Sequence, residues 1–195
     1  MNFLESERQK YVDVWSLDAY AAYSPGEAYL PLFLDMIGTE RGTILDAGCG
    51  SGKGALALHE AKFNVSLCDL TDAGLVQEAR FLPFTQACLW NRLAPQLPYR
   101  FGGKFDWVYC CDVLEHIPTP FTMLVISRLL EISKRGVFLS ISLMPDQFGV
   151  WIGKTLHQTV QPFNAWKQQL NTVGRVKESR DLLHCGVFLV ESNAK

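Results

Sequence analysis

No Cys-x-x-Cys pair occurs in these 195 residues, although cysteines stand at positions 49, 68, 88, 110, 111 and 185. Several of them lie inside apolar runs, so neither a zinc site nor a disulfide framework is indicated, and buried reduced thiols are expected. A charge excess of either sign is also missing. Eighteen Lys and Arg face twenty Asp and Glu, a net charge of -2, which offers no basic field for nucleic acid but does not exclude that partner. There is no long apolar run either. The greasiest stretch, FTMLVISRLLEI, is broken by Arg128, and MNFLESERQKYVDVW carries charges throughout, so no membrane span or leader is read and a cytoplasmic location is expected. No repeat, low-complexity tract or linker interrupts the chain, which is read as one domain over residues 1–195.

What is present begins with an aromatic, helix-periodic segment over residues 1–40. Ser24 and Pro25 supply an N-cap and a first helical residue, and Leu30, Leu32, Phe33, Leu34 and Ile37 supply the apolar stripe of a lid or packing helix. From Thr43 onward the signal changes to short apolar runs: TILDA, NVSLCD, PFTQACL, FDWVYCC, GVFLSIS and CGVFLVE. Runs apolar on both faces predict strands covered on both sides. Helical patterns near 53–62, 72–80, 119–133 and 161–172 separate them, so the fold class is α/β with a doubly wound, three-layer sheet. The last two strands, near 174–180 and 183–191, are too close for a crossover helix and are expected to pair as an antiparallel hairpin.

The glycines of AGCGSGKG, Ala47 to Gly54, sit at the first strand-to-helix turn. A phosphate loop would need a glycine at Ala47 and a hydroxyl at Gly54, and a dinucleotide fingerprint would need a glycine at Lys53. Neither pattern fits, which also argues against an NAD-dependent oxidoreductase. Gly48, Gly50 and Gly52 instead leave bare main chain against which a ligand can lie, with unpaired N–H groups at the following helix start for a carboxylate. Asp69, ending the next strand, stands where an acid would hold a ribose diol, and Asp46, ending the first strand, stands near an amino group. The bland alternative makes the glycines a tight turn and both aspartates helix caps.

ILDAGCGSGKG, VSLCDL and FDWVYCCDVLEHIP, in that order, resemble the nucleotide-binding half of the class I S-adenosylmethionine-dependent methyltransferases, over roughly residues 40–145. The resemblance implies a seven-stranded, mostly parallel sheet whose last strand is antiparallel, with S-adenosyl-L-methionine as cofactor. It implies that Asp46, Gly48, Gly50 and Gly52 line the methionine end and that Asp69 holds the ribose, with Leu70 beside the adenine. It also implies that Asp112 and Val113 flank the methionine and open onto the acceptor pocket. The chain departs from the family where an acid usually follows the third strand, since FTQACLWN places Cys88, Leu89 and Trp90 there. Leu89 and Trp90 are taken as adenine neighbours, an indole face being suited to stack on a base. By this reading residues 1–40 are lid helices, 41–145 the cofactor-binding core, 146–173 an acceptor lid and 174–195 the hairpin.

Methyl transfer is an in-line displacement in which the protein aligns a nucleophile and removes its proton. His116 and His157 are the candidate bases, an imidazole titrating near ~6.5. Phe148, Trp151, Phe163 and Trp166 around His157 would wall the acceptor pocket, with Trp151 and Trp166 the chosen contacts. No metal is assigned in this reading. As an alternative, Asp112, Glu115, His116 and His157 could hold a divalent ion, a pattern similar to that of some metal-assisted RNA 2'-O-methyltransferases. No motif of DNA base methylation is present, so a small or medium-sized polar acceptor is expected, a sugar or an aromatic hydroxyl among them. A nonenzymatic module that binds the cofactor is the other alternative. The sequence leaves the oligomeric state open.

Overall fold

The computed structural model describes residues 3–91 and 103–192. Four helices precede the sheet: α1 (Phe3–Trp15), α2 (Asp18–Ala21), α3 (Pro25–Ala28) and α4 (Leu30–Ile37). α3 starts as its sequence predicts. The Ser24 hydroxyl accepts the Glu27 N–H at 3.3 Å, and Pro25 takes the first helical position, where no N–H is needed.

Seven strands then form one sheet in the order β3-β2-β1-β4-β5-β7-β6. β1 (Thr43–Ala47), β2 (Asn64–Asp69), β3 (Phe84–Gln86), β4 (Phe105–Cys111) and β5 (Ser133–Ser142) are parallel, whereas β7 (Cys185–Ser192) runs antiparallel to both β5 and β6 (Gly174–Asp181). The predicted doubly wound sheet and its terminal hairpin are therefore both present. β4 shows why its run is apolar throughout. Trp107, Tyr109 and Cys111 enter the core beneath α4 and α5 (Lys53–Glu60), and Val108 and Cys110 enter the one beneath α6 (Thr119–Ile132) and α7 (Phe163–Val173).

One predicted helix is corrected. Residues 72–80 contain only a 3₁₀ turn, Gln77–Ala79. The Thr71 hydroxyl accepts the Ala73 N–H at 3.2 Å, and Val76 N–H donates to the Ser51 carbonyl at 3.0 Å. Local side-chain bonding and a tie to the glycine loop thus outcompete the helical ladder. β3 is likewise shorter than PFTQACL. After Gln86 the chain leaves the sheet, and Ala87 N–H donates to the Asp69 carbonyl at 2.7 Å. The segment proposed as an acceptor lid also divides: its second half is α7, which packs on α6, β6 and β7. Among the described residues no helix is long and apolar enough to cross a membrane.

The N-terminal helices are seated on the core by a contact between two glycines. A Cβ on Gly54 would lie 2.9 Å from the Gly26 Cα, so α3 and α5 meet backbone to backbone. The Tyr109 hydroxyl adds a 2.6 Å bond to the Gly26 carbonyl. Gly54→Val should lower stability by about 1–3 kcal/mol through overpacking. A reduced urea midpoint at unchanged slope would register it.

Candidate active site

Sheets of this kind leave a crevice beyond the carboxyl ends of their strands. Here one cleft runs from the β1 glycine loop, past the tips of β2 and β4, to the connection after β5. Of the residues singled out in the sequence, Asp46, Gly48, Gly50, Asp69, Leu70, Leu89, Trp90, Asp112, Val113, His116 and His157 all line it. Gly52, Trp151 and Trp166 do not. Gly52 begins α5 in a left-handed conformation, and a side chain there would press Leu75 and Ala79 at 2.7 Å, so its bareness serves packing. Trp166 is completely buried within the α6–α7 core, and Phe163 stacks on Phe188 at 4.9 Å. Trp151 is 62% exposed, and its ring meets Phe148 of the cleft wall edge-on at 6.0 Å. An apolar helical stripe looks alike whether it faces a core or a pocket, which is why these aromatics were read as a wall.

The glycine loop is held by the neighbouring strand. Gly48 and Cys49 N–H groups donate to the Cys68 carbonyl at 2.8 and 3.1 Å, and Gly50 N–H donates to Asp69 Oδ2 at 2.8 Å. Asp69 Oδ1 accepts from the Leu70 and Thr71 N–H groups at 2.6 and 3.4 Å. Gly48 has no room for a side chain because Val113 packs over it.

Lining residues that the sequence reading missed come from the N-terminal helices. Tyr11, Trp15 and Tyr20 form part of the cleft wall. The Trp15 indole sits where a Cβ on Gly50 would be, 2.7 Å from it, and rings connect Trp15 to Tyr20 at 4.8 Å and Tyr20 to Phe148 at 5.5 Å. Their only signal in the sequence was the aromatic density of residues 1–40.

Burial dominates the electrostatics. Asp46 is 4% exposed, and loss of solvent, aided by the charge of Asp69, raises its carboxyl to about 7. Desolvation also raises Asp69, against three backbone donors, and Asp112, against the Ser140 hydroxyl bond of 2.8 Å. Glu115 is fully buried and raised by desolvation and then by Asp112. None of the ion pairs among the described residues includes these four acids. The cleft is consequently a place for positive charge.

His116 is driven down to about 3, chiefly by burial and then by His157 and Lys10, so it stays neutral and is a weak base at neutral pH. The His157 ring lies 4.7 Å from it, nearly perpendicular, and its Nδ1 is 2.6 Å from the Met144 carbonyl. A carbonyl only accepts, so Nδ1 carries the proton and the lone pair of the neutral ring falls on Nε2. Asp146 shapes the adjoining loop. Burial pushes its carboxyl up, but N–H bonds from Gly149 (2.6 Å), Leu156 (3.0 Å) and His157 leave it below the usual range.

Residues 44–136 match the family model described as "Methyltransferase domain". The magnesium-protoporphyrin O-methyltransferase of Synechocystis sp. is 29% identical over 143 residues, 72% of this chain and 57% of that protein. A ubiquinone biosynthesis O-methyltransferase of Pseudomonas paraeruginosa is 30% identical over 129 residues, 63% of this chain and 56% of the relative. The chain thus spans little more than half the length of these curated relatives. Among solved structures, the DhpI–SAH complex superposes with a TM-score of 0.75 at 16% identity, covering 98% of both chains. The SAH-bound magnesium protoporphyrin IX methyltransferase from Synechocystis PCC 6803 gives a TM-score of 0.60 at 19% identity, covering 98% of this chain and 89% of its own. At these identities the structural likeness establishes the fold.

Asp146→Ala would free three loop N–H groups at once, those of Gly149, Leu156 and His157. Limited proteolysis should then cut between residues 147 and 156 faster than in the unaltered chain, with far-ultraviolet circular dichroism unchanged. Equal cutting would show that the loop is held by other means.

Proposed function

With a core that belongs to the class I S-adenosylmethionine-dependent methyltransferase family, we propose that this chain binds S-adenosylmethionine in the cleft and methylates an oxygen of a small, aromatic-bearing acceptor. The observation that carries the reading is the convergence of bare glycine backbone, three acids without ionic partners among the described residues (Asp46, Asp69 and Asp112) and two imidazoles in one cleft. When bound, the cofactor supplies an electrophilic methyl group on a sulfonium, and it brings a second positive charge on its ammonium.

The residues present fit that group. Gly48 and Gly50 give close access to main chain, and the uncompensated Asp46 suits an ammonium. Asp69 keeps acceptor capacity on Oδ2, which takes a single backbone donor, so a sugar hydroxyl has a partner there. Its loop tether gives it a second duty beyond the one expected from sequence. Leu70, Leu89 and Trp90 offer an apolar slot for a base. Trp15, Tyr20 and Phe148 cover the cleft and would exclude water from the reacting centre. His157, with its free nitrogen on Nε2, is the better candidate than His116 to accept a proton from the acceptor oxygen. The aromatic rim and the O-methyltransferase names of the relatives support the acceptor class.

Two results test this. Because Asp46 holds its proton to about pH 7 and only the carboxylate pairs with an ammonium, calorimetric affinity for S-adenosylhomocysteine should increase from about pH 6 to about pH 8. Asp46→Asn should remove that increase and weaken binding at the upper pH by roughly tenfold or more. The sign for the unliganded chain is opposite. Its folded-state value is raised, so this acid makes the chain less stable as pH climbs from the ordinary carboxylate range toward 7. The acceptor is sought by incubating the chain with methyl-labelled cofactor and a panel of hydroxylated aromatics, with mass spectrometry of the products. Labelled ether together with S-adenosylhomocysteine is the expected outcome. Cofactor binding with no product from panel or cell extract would favour a binding module.

A further inference from the structure

At the edge of the cleft, Glu115, His116 and His157 each present one donor atom, and the three atoms lie within 4.8 Å of one another. Two different elements bring them together: the 3₁₀ turn Leu114–His116 after β4, and the loop that follows β5. That loop is stapled to the turn, since Gln158 and Thr159 N–H groups donate to the Glu115 carbonyl at 2.7 and 2.9 Å. The Thr159 hydroxyl adds a bond to the Ile117 carbonyl at 2.7 Å. The two segments that carry the three residues are therefore fixed to one another.

Each side chain is held from one side and bare on the other. Glu115 Oε1 accepts the Ser142 N–H at 2.8 Å, while Oε2 is buried with no partner. His116 Nδ1 is buried and equally without a partner. His157 gives its Nδ1–H to the Met144 carbonyl at 2.6 Å, which turns the lone pair of Nε2 outward. A buried carboxylate oxygen and a buried imidazole nitrogen both left bare carry a large desolvation cost unless a cation or proton meets them. Lys10 is committed to Glu7 at 2.7 Å and to the Thr155 carbonyl.

We propose that Glu115, His116 and His157 bind one divalent first-row transition-metal ion. Two neutral imidazoles and one carboxylate are the donor set of such ions rather than of magnesium or calcium, which prefer oxygen. Three protein donors leave at least one coordination position for another ligand, and His116 and His157 border the cleft. The ion binding itself does not depend on the methyltransferase reading; only the identity of that further ligand, the acceptor oxygen, rests on it. With the ion in place, the His157 lone pair goes to the metal instead of to a proton.

The test uses the full chain, stripped with a chelator, dialysed, and titrated with zinc, manganese or cobalt chloride alone. Saturable uptake of one ion per chain is expected, and cobalt should acquire the visible absorption of a nitrogen-ligated site. His157→Ala and Glu115→Gln should each weaken uptake by at least about tenfold. The glutamine keeps an oxygen for the Ser142 N–H, and melting curves report whether either variant is folded. His59→Ala and His184→Ala should leave uptake unchanged. No saturable uptake, or uptake indifferent to His157→Ala and Glu115→Gln, would overturn the site. A parallel titration with S-adenosylhomocysteine separates the two readings: intact binding there with no metal uptake removes the ion and leaves the methyltransferase proposal standing.

Discussion

The loop between β1 and α5 has its shape because the tip of β2 holds it. Three N–H groups of that loop, those of Gly48, Cys49 and Gly50, end on Cys68 and Asp69. Parallel pairing of Asp46 with Leu67 and Ala47 with Cys68 brings the two strand ends level, so the bonds can form. Everything on the cleft floor follows from this. Val113 can pack over Gly48, Trp15 can rest on Gly50, and Asp69 can bond the loop while it lines the cleft. A carboxylate with several acceptor sites is the side chain able to do both.

The second governing constraint is a set of desolvated acids without ionic partners. Most buried acids are paired or hydrogen-bonded to saturation. Asp46, Asp69 and Asp112 line one cleft with no ionic partner among the described residues, Glu115 is buried in the turn beside it, and burial raises each of them. In a low-dielectric crevice such a field is strongly selective for cations. Burying these acids costs stability, and the surrounding sheet core, with Phe33, Tyr109, Phe138 and Phe188 fully buried, sustains that loss.

Lid and core are less separate than their order along the chain suggests. Lys53 Nζ donates to the Ala21 carbonyl at 3.1 Å, and Arg8 Nε donates to the Leu70 carbonyl at 3.3 Å. Lys10 reaches the 155 loop on the opposite rim. The helices before the sheet therefore bridge both banks of the cleft, and the aromatic chain from Trp15 through Tyr20 to Phe148 closes it from above.

The sequence by itself determined what depends on neighbours along the chain. Two-faced apolar runs gave the strands, the short link before Cys185 gave the hairpin, Ser24 and Pro25 gave a helix start, and the spaced glycines with Asp46 and Asp69 gave the cleft floor. Residues 72–80 misled because a threonine hydroxyl and one bond to Ser51 outweighed a weak helical period. Trp166 misled because helical spacing fixes which side chains share a face but not what that face meets. Tertiary structure alone decided the roof of Tyr11, Trp15 and Tyr20 and the burial that lifts Asp46 and depresses His116, and of the four residues named as an alternative ion site it gathered Glu115, His116 and His157 without Asp112. Those outcomes depend on distances through space between segments far apart in the chain, and on the exclusion of water by the whole fold, which no local pattern of residues encodes.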